Sequence, residues 1–109
     1  MGFHAHHAIV LTSNGGDLDG IKAAHTLALE IFWEGQVSPL TKPTTNAFRS
    51  FFVSPDGSKE GWDESRTGDQ RREHFIKALR RFPKRDLFLS WVEVYWDESG
   101  SAKVLRRRT

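Results

Sequence analysis

The chain contains no cysteine, and its single methionine is its first residue. The first absence excludes a disulfide scaffold, a thiolate zinc site and a cysteine nucleophile, and it agrees with a reducing compartment. No apolar run approaches the ~20 residues that a membrane span needs. No basic stretch followed by an apolar core opens the chain, so the pattern of a secretion signal is missing. Gly2 follows Met1, but His6 stands where a myristoylation signal takes Ser or Thr. These absences together predict a cytoplasmic protein. Catalytic signatures are also lacking: there is no Gly-x-Ser-x-Gly elbow, no phosphate-cradling glycine loop and no His-Glu-x-x-His helix. Gly15-Gly16 precedes a helical stretch, yet Asp17 and Asp19 occupy the place an anion would take. The acidic residues Glu60, Asp63, Glu64, Asp69 and Glu73 have neither the alternation nor the turn glycine of a calcium loop. They read instead as negative charge gathered around a helix start, where the helix dipole favours it.

What is present describes one α+β domain spanning residues 1–109, long enough for one core and too short for two. Eight Phe and four Trp supply much of the area available for burial. The net charge of +2 conceals a polarity. Residues 1–65 hold four Lys/Arg against eight Asp/Glu, whereas residues 66–109 hold twelve against six. A basic second half keeps a protein soluble and also prefers anionic partners.

Periodicity divides the chain into strand-like His4–Ser13, helix-like Asp17–Trp33, strand-like Ala47–Val53, helix-like Asp69–Phe82 and strand-like Leu87–Trp96. In the first helix Leu18, Ile21, His25, Ala28 and Phe32 recur at helical spacing, Asp17 is the expected N-cap and Gly35 the expected stop. Gln36–Asn46, with Pro39 and Pro43, reads as the longest irregular segment and a mobile loop. Pro55-Asp56-Gly57-Ser58 is a turn, after which Lys59–Asp63 reads as a short return strand anchored by Trp62. Thr67 or Asp69 caps the second helix, whose Arg72, Phe75, Ile76, Leu79 and Phe82 share one stripe and which Pro83 closes. Asp97-Glu98-Ser99-Gly100 turns the last strand into a hairpin with Ala102–Arg107.

The order βαββαβ plus a final hairpin strand predicts a ferredoxin-like fold: one mostly antiparallel sheet with both helices on one face. The other face is then left to solvent, a partner or a ligand. The alternate set placed on it is His4, His6 and Val10, then Arg49, then Leu89, Trp91, Glu93 and Tyr95. Phe88, Val92, Val94 and Trp96 are assigned beneath the helices, although both sets on that strand are apolar and the assignment can flip. An aromatic face without cover predicts a binding surface or a dimer interface, unless the Gln36–Asn46 loop folds over it. Trp91, Tyr95, Leu89, Trp62 and Arg49 are the residues expected to meet a protein partner. The same face admits an alternative, single-stranded nucleic acid stacked on Trp91 and Tyr95, with Arg49, Lys103, Arg106, Arg107 and Arg108 on phosphates. Against it, no strand carries an RNP-type run, and Glu93 between the platforms repels phosphate.

His4 and His6 lie on one strand face about 7 Å apart by rise per residue, which is ligand-like spacing. A third ligand from His74, Glu93 or Asp97 is needed to make a metal site, and local geometry supplies only the pair. No cofactor is expected. His25, on the apolar stripe of the first helix, reads as a core histidine satisfied by a hydrogen bond.

The run Phe51-Phe52-Val53-Ser54-Pro55-Asp56-Gly57-Ser58-Lys59-Glu60-Gly61-Trp62-Asp63-Glu64-Ser65, continued by Gly68-Asp69, Arg72-Glu73-His74-Phe75 and Trp91-Val92-Glu93-Val94, resembles small uncharacterised proteins of tailed bacteriophages and prophages. That resemblance covers the second half of the chain and transfers no catalytic residue. It implies a bacterial host cytoplasm and a protein that acts by binding another protein. The sequence therefore predicts a non-enzymatic interaction protein, with a nucleic-acid-binding module as the alternative.

Overall fold

A computed structural model of the chain describes residues 4–13, 18–57, 62–82 and 89–108. The elements run β1 (Ala5–Ser13), α1 (Leu18–Ile31), β2 (Arg49–Val53), α2 (Asp63–Arg80), β3 (Ser90–Asp97) and β4 (Ala102–Arg107). The strands form one four-stranded antiparallel sheet in the order β2-β1-β3-β4. Both helices lie on one face of it. Ile21, Ala24, Ala28 and Phe32 of α1 and its end, with Phe75, Ile76 and Leu79 of α2, share a single buried cluster with Ile9, Leu11, Phe51, Val53, Leu89 and Trp91. Phe32 and Phe75 meet edge to face at 5.4 Å across the helix pair. The expected α+β class and two-helix layer are observed. The ferredoxin-like βαββαβ order is not confirmed.

Several expected boundaries move, each for a local reason. Lys59, Glu60 and Gly61 of the expected return strand lie outside the described residues, as do Ser58 of the turn expected before it, Gly15-Gly16, Asp17, Pro83 and Leu87-Phe88. Trp62 and Asp63, the end of that expected strand, open α2 instead. The helix thus starts before Thr67 and Asp69. Asp63 and Glu64 place negative charge in its first turn, and the carbonyl of Trp62 accepts from Ser65 N–H at 3.1 Å. The Thr67 hydroxyl donates back to the Asp63 carbonyl at 3.1 Å, the habit of a helix-interior threonine rather than a cap. β2 begins at Arg49 and not Ala47, because Asn46 and Ala47 both adopt positive φ (59° and 58°) in a short 3-10 turn.

Gln36–Thr41, expected to be a mobile loop or a cover over the open face, runs along the outer edge of β2. Gly35 turns the chain into it with φ of 84°. Val37 bridges Val53 in antiparallel sense; Ser38 N–H donates to Phe52 O and Thr41 N–H to Ser50 O, each at 2.9 Å. The return bonds come from side chains: Phe52 N–H donates to Ser38 Oγ (2.8 Å) and Ser50 N–H to Thr41 Oγ1 (2.9 Å). Ser38 O is turned away to accept from His25 Nε2 at 2.9 Å, so the expected core histidine fastens this segment to α1. One sheet edge is thereby covered.

Candidate functional site

Alternation along the strands decides what each face offers. Leu89 (1% exposed), just ahead of β3, and Trp91 (4%) and Glu93 (1%) within it turn toward the helices, and Tyr95 lies on the same side, half-buried. This overturns their expected place on the open face. The register explains it: Leu11 pairs with Trp91 and Ile9 with Glu93, so residues opposite core positions of β1 are themselves in the core. On β1 the expectation for His4, His6 and Val10 agrees with the register, since Val10 faces Val92 and His6 faces Trp96. Among the described residues the uncovered face therefore carries the other β3 set, Val92, Val94 and Trp96.

Three rows cross that face. Phe52, Val10, Val92 and Arg107 form one, Ala8, Val94 and Val104 the next, and His6, Trp96 and Ala102 the third. Phe52 (45% exposed) and Val104 (56%) stand well out of it. His6 and Trp96 rings lie 5.4 Å apart, and His4 stacks on His6 at 6.1 Å. At the opposite end Thr12 and Ser50 share a hydroxyl hydrogen bond of 2.9 Å. Arg107 is the one side chain of fixed charge in these rows. The result is an apolar belt with a hydroxyl end and an aromatic-imidazole end.

The covered face holds a charged cleft of ≈ 420 Å³ lined by His7, Asp69, Arg72, Glu73, Glu93, Leu105 and Arg106. Glu93 accepts from Arg106 Nε at 2.7 Å and Nη2 at 3.2 Å, and Arg72 Nε lies 3.7 Å from it. Arg106 also donates to Glu73, and Arg72 to Asp69. Its hydrogen bonds to Glu93, joined by that to Glu73, hold the Arg106 guanidinium more firmly protonated than usual. Glu73 is held below the ordinary carboxylate range, first by its hydrogen bond from Arg106 and then by that residue's charge. Each positive group in the cleft is thus matched to a carboxylate on another element or one turn away. That arrangement ties α2, β3 and β4 together.

The nucleic-acid residues fare differently from expectation. Arg106 is committed to this network, Arg108 donates to Leu89 O at 2.9 Å, and Lys103 Nζ sits 5.3 Å over the Tyr95 ring. Arg49 Nε donates to Thr41 O at 2.9 Å beside the covered edge. Trp62 is exposed at the start of α2 and lies outside the rows of the open face. The proposed third metal ligands do not join His4 and His6. Glu93 faces the helices, Asp97 receives hydrogen bonds from Tyr95 and Ser99, and His74 lines a surface groove on α2. Among the described residues no group of three or more His, Asp or Glu could hold a metal ion. Among them, too, no helix is long and apolar enough to cross a membrane.

The triad of buried Arg72 and Glu93 with half-buried Arg106 is the feature sequence reading missed. Its one signal was Arg72 on the apolar stripe of α2, a position where a charged residue needs a buried partner. Comparison with protein families, with curated proteins and with solved structures returns no match.

Proposed function

We propose that this chain is a non-enzymatic interaction domain that buries its uncovered sheet face against a second copy of itself. The observation carrying this reading is the belt Phe52, Val10, Val92, Val94, Val104 and Trp96, partly exposed, contiguous and nearly free of charge. A face of four strands by some eight residues offers about 500 Å² per copy, so two copies bury about 1,000 Å², the lower bound of a specific interface. A reversible dimer follows from that size. The near-neutral belt favours a like surface, since only Arg107 brings like charge into a two-fold pairing. Two twisted sheets meeting this way pack at about −30° with side chains interdigitated.

The finer fold reading belongs to the same proposal. Gln36–Thr41 lies parallel to β1 with β2 between them, which is the place of the second strand in a ferredoxin-like split βαβ. A phage origin, inferred from the Phe51–Phe75 run, adds a bacterial cytoplasm as the setting in which the dimer works.

Light scattering coupled to size exclusion, across a wide concentration range and at low and high salt, tests the dimer. The expected result is a concentration-dependent dimer that high salt does not dissolve, and that Val10→Thr weakens while leaving the fold intact by circular dichroism. A monomer at every concentration overturns the reading. So does a dimer indifferent to Val10→Thr and Phe52→Ser.

A further inference from the structure

The sheet has two edges, and they are treated differently. The β2 edge is covered by Gln36–Thr41 through main-chain and hydroxyl hydrogen bonds. The β4 edge has no such cover among the described residues. Arg108 N–H turns inward to Trp91 O at 3.1 Å, so alternation turns the amide groups of Arg107 outward. Val104 and Leu105, on this edge, are 56% and 39% exposed, an unusual pair for an edge strand left to water. The register slips between Glu93 and Val94, which places Leu105 in a bulge on the cleft side while Val104 stays on the open face.

β4 also carries charge of one sign. Lys103, Arg106 and Arg107 lie within it and no acidic residue does. Antiparallel pairing of β4 with its own copy would gather Lys103 and Arg107 of both chains along one seam with no acidic residue between them, so the edge resists self-association. The same charges suit an acidic strand. We propose that β4 accepts an extended acidic peptide segment by β-strand addition. Where its apolar side chains continue the Val94–Val104 row, its carboxylates fall on the other face and answer Lys103; where they reach Leu105, the carboxylates answer Arg107. Arg106 contributes no new pair, because Glu93 and Glu73 already occupy it. This surface and its occupant differ from the face and the second copy above.

A short capped peptide alternating valine and glutamate, fluorescently labelled, is the probe, with the valine–lysine peptide as its counterpart. The acidic peptide is expected to bind the full chain, shifting the backbone amide resonances of β4. Lys103→Glu with Arg107→Glu, both exposed sites, should weaken it about tenfold and admit the lysine peptide in its place. N-methylation of alternate residues along the bonding edge of the peptide should abolish binding, since strand addition depends on main-chain donors. Equal binding of the N-methylated peptide, of the lysine peptide to the unaltered chain, or displacement of the acidic peptide by oligothymidine overturns the proposal. So does a shift pattern confined to Val10 and Phe52.

Discussion

Arg106 forks onto Glu93, with Nε 2.7 Å from one carboxylate oxygen and Nη2 3.2 Å from the other. Glu93 is 1% exposed, and its remaining cation, Arg72, stands at 3.7 Å. Removing the fork strands a nearly dry carboxylate. Arg106→Ala is therefore expected to cost about 3–5 kcal/mol, far above the ~1 kcal/mol of an exposed pair. Urea unfolding of Arg106→Ala, Glu93→Gln and the double variant measures this. The double variant should be less destabilised than the sum of the singles, because the second change relieves the burial left by the first. Strict additivity would show that the fork contributes little.

Gly68 lies inside α2, where replacing glycine by alanine ordinarily gains about 1 kcal/mol. Here the opposite sign is expected. A Cβ at position 68 would fall 2.2 Å from Asp56 Oδ2 and 3.3 Å from Arg72 Nη1. The carboxylate of Asp56, set in the turn after β2, must then leave the neighbourhood of Arg72. Gly68→Ala should lower stability in the unaltered chain and raise it in an Asp56→Ala background. Thermal melts of the four proteins decide, and the same sign in both backgrounds would remove the steric explanation.

Layers were more legible in the sequence than faces. Helical spacing located the Phe75-Ile76-Leu79 stripe, and alternation located β1, because each pattern has one apolar side. On β3 both alternate sets are apolar, Trp91 with Leu89 and Val92 with Val94, so periodicity was silent about which turned inward. What settles it is cross-strand register, with Leu11 opposite Trp91, and register depends on residues far apart in sequence. Glu93 misled for the same reason. A lone acidic residue in a strand reads as solvent-facing, and its two arginines come from positions 72 and 106. The edge segment Gln36–Thr41 was hidden by Pro39, which breaks a strand pattern, and by hydroxyls doing the work of carbonyls.

The two depressed carboxylates give stability a definite response to acid. Glu73 titrates below its ordinary 4.5, chiefly through the hydrogen bond from Arg106. Asp97 titrates below its ordinary 3.8, through the Ser99 hydroxyl first and Tyr95 second. Between the ordinary and the lowered values the unfolded chain binds more protons than the folded one, so stability rises with pH there. The contribution is present in full above the ordinary values and is lost as pH falls through the lowered ones. Urea midpoints measured from neutral pH downward should drop through this acid window. In Glu73→Gln and in Asp97→Asn the drop should be shallower, whereas profiles parallel to the parent would contradict these partners.

The hydroxyls of Ser38 and Thr41 allow a segment interrupted by proline to seal a strand edge. Phe52 N–H and Ser50 N–H would otherwise face water, or another chain, from the outer side of β2. Ser38→Ala removes the acceptor for Phe52 N–H while sparing the Ser38 N–H bond to Phe52 O, and Thr41→Val does the same at Ser50 with nearly unchanged shape. Each is expected to cost about 1 kcal/mol, the net value of one hydrogen bond, with most of the effect local. Amide exchange should quicken at Phe52 in the first variant and at Ser50 in the second, while Ile9 and Leu11 in the core of β1 keep their protection. His25→Ala extends the argument, because it frees the Ser38 carbonyl that the imidazole now holds at 2.9 Å. Losing that anchor should quicken exchange at Ser38 and Thr41 together, and the double variant with Ser38→Ala should raise aggregation on mild heating as the edge opens. Unchanged exchange at Phe52 and Ser50 in all three variants would mean that the edge is closed by something other than these side chains.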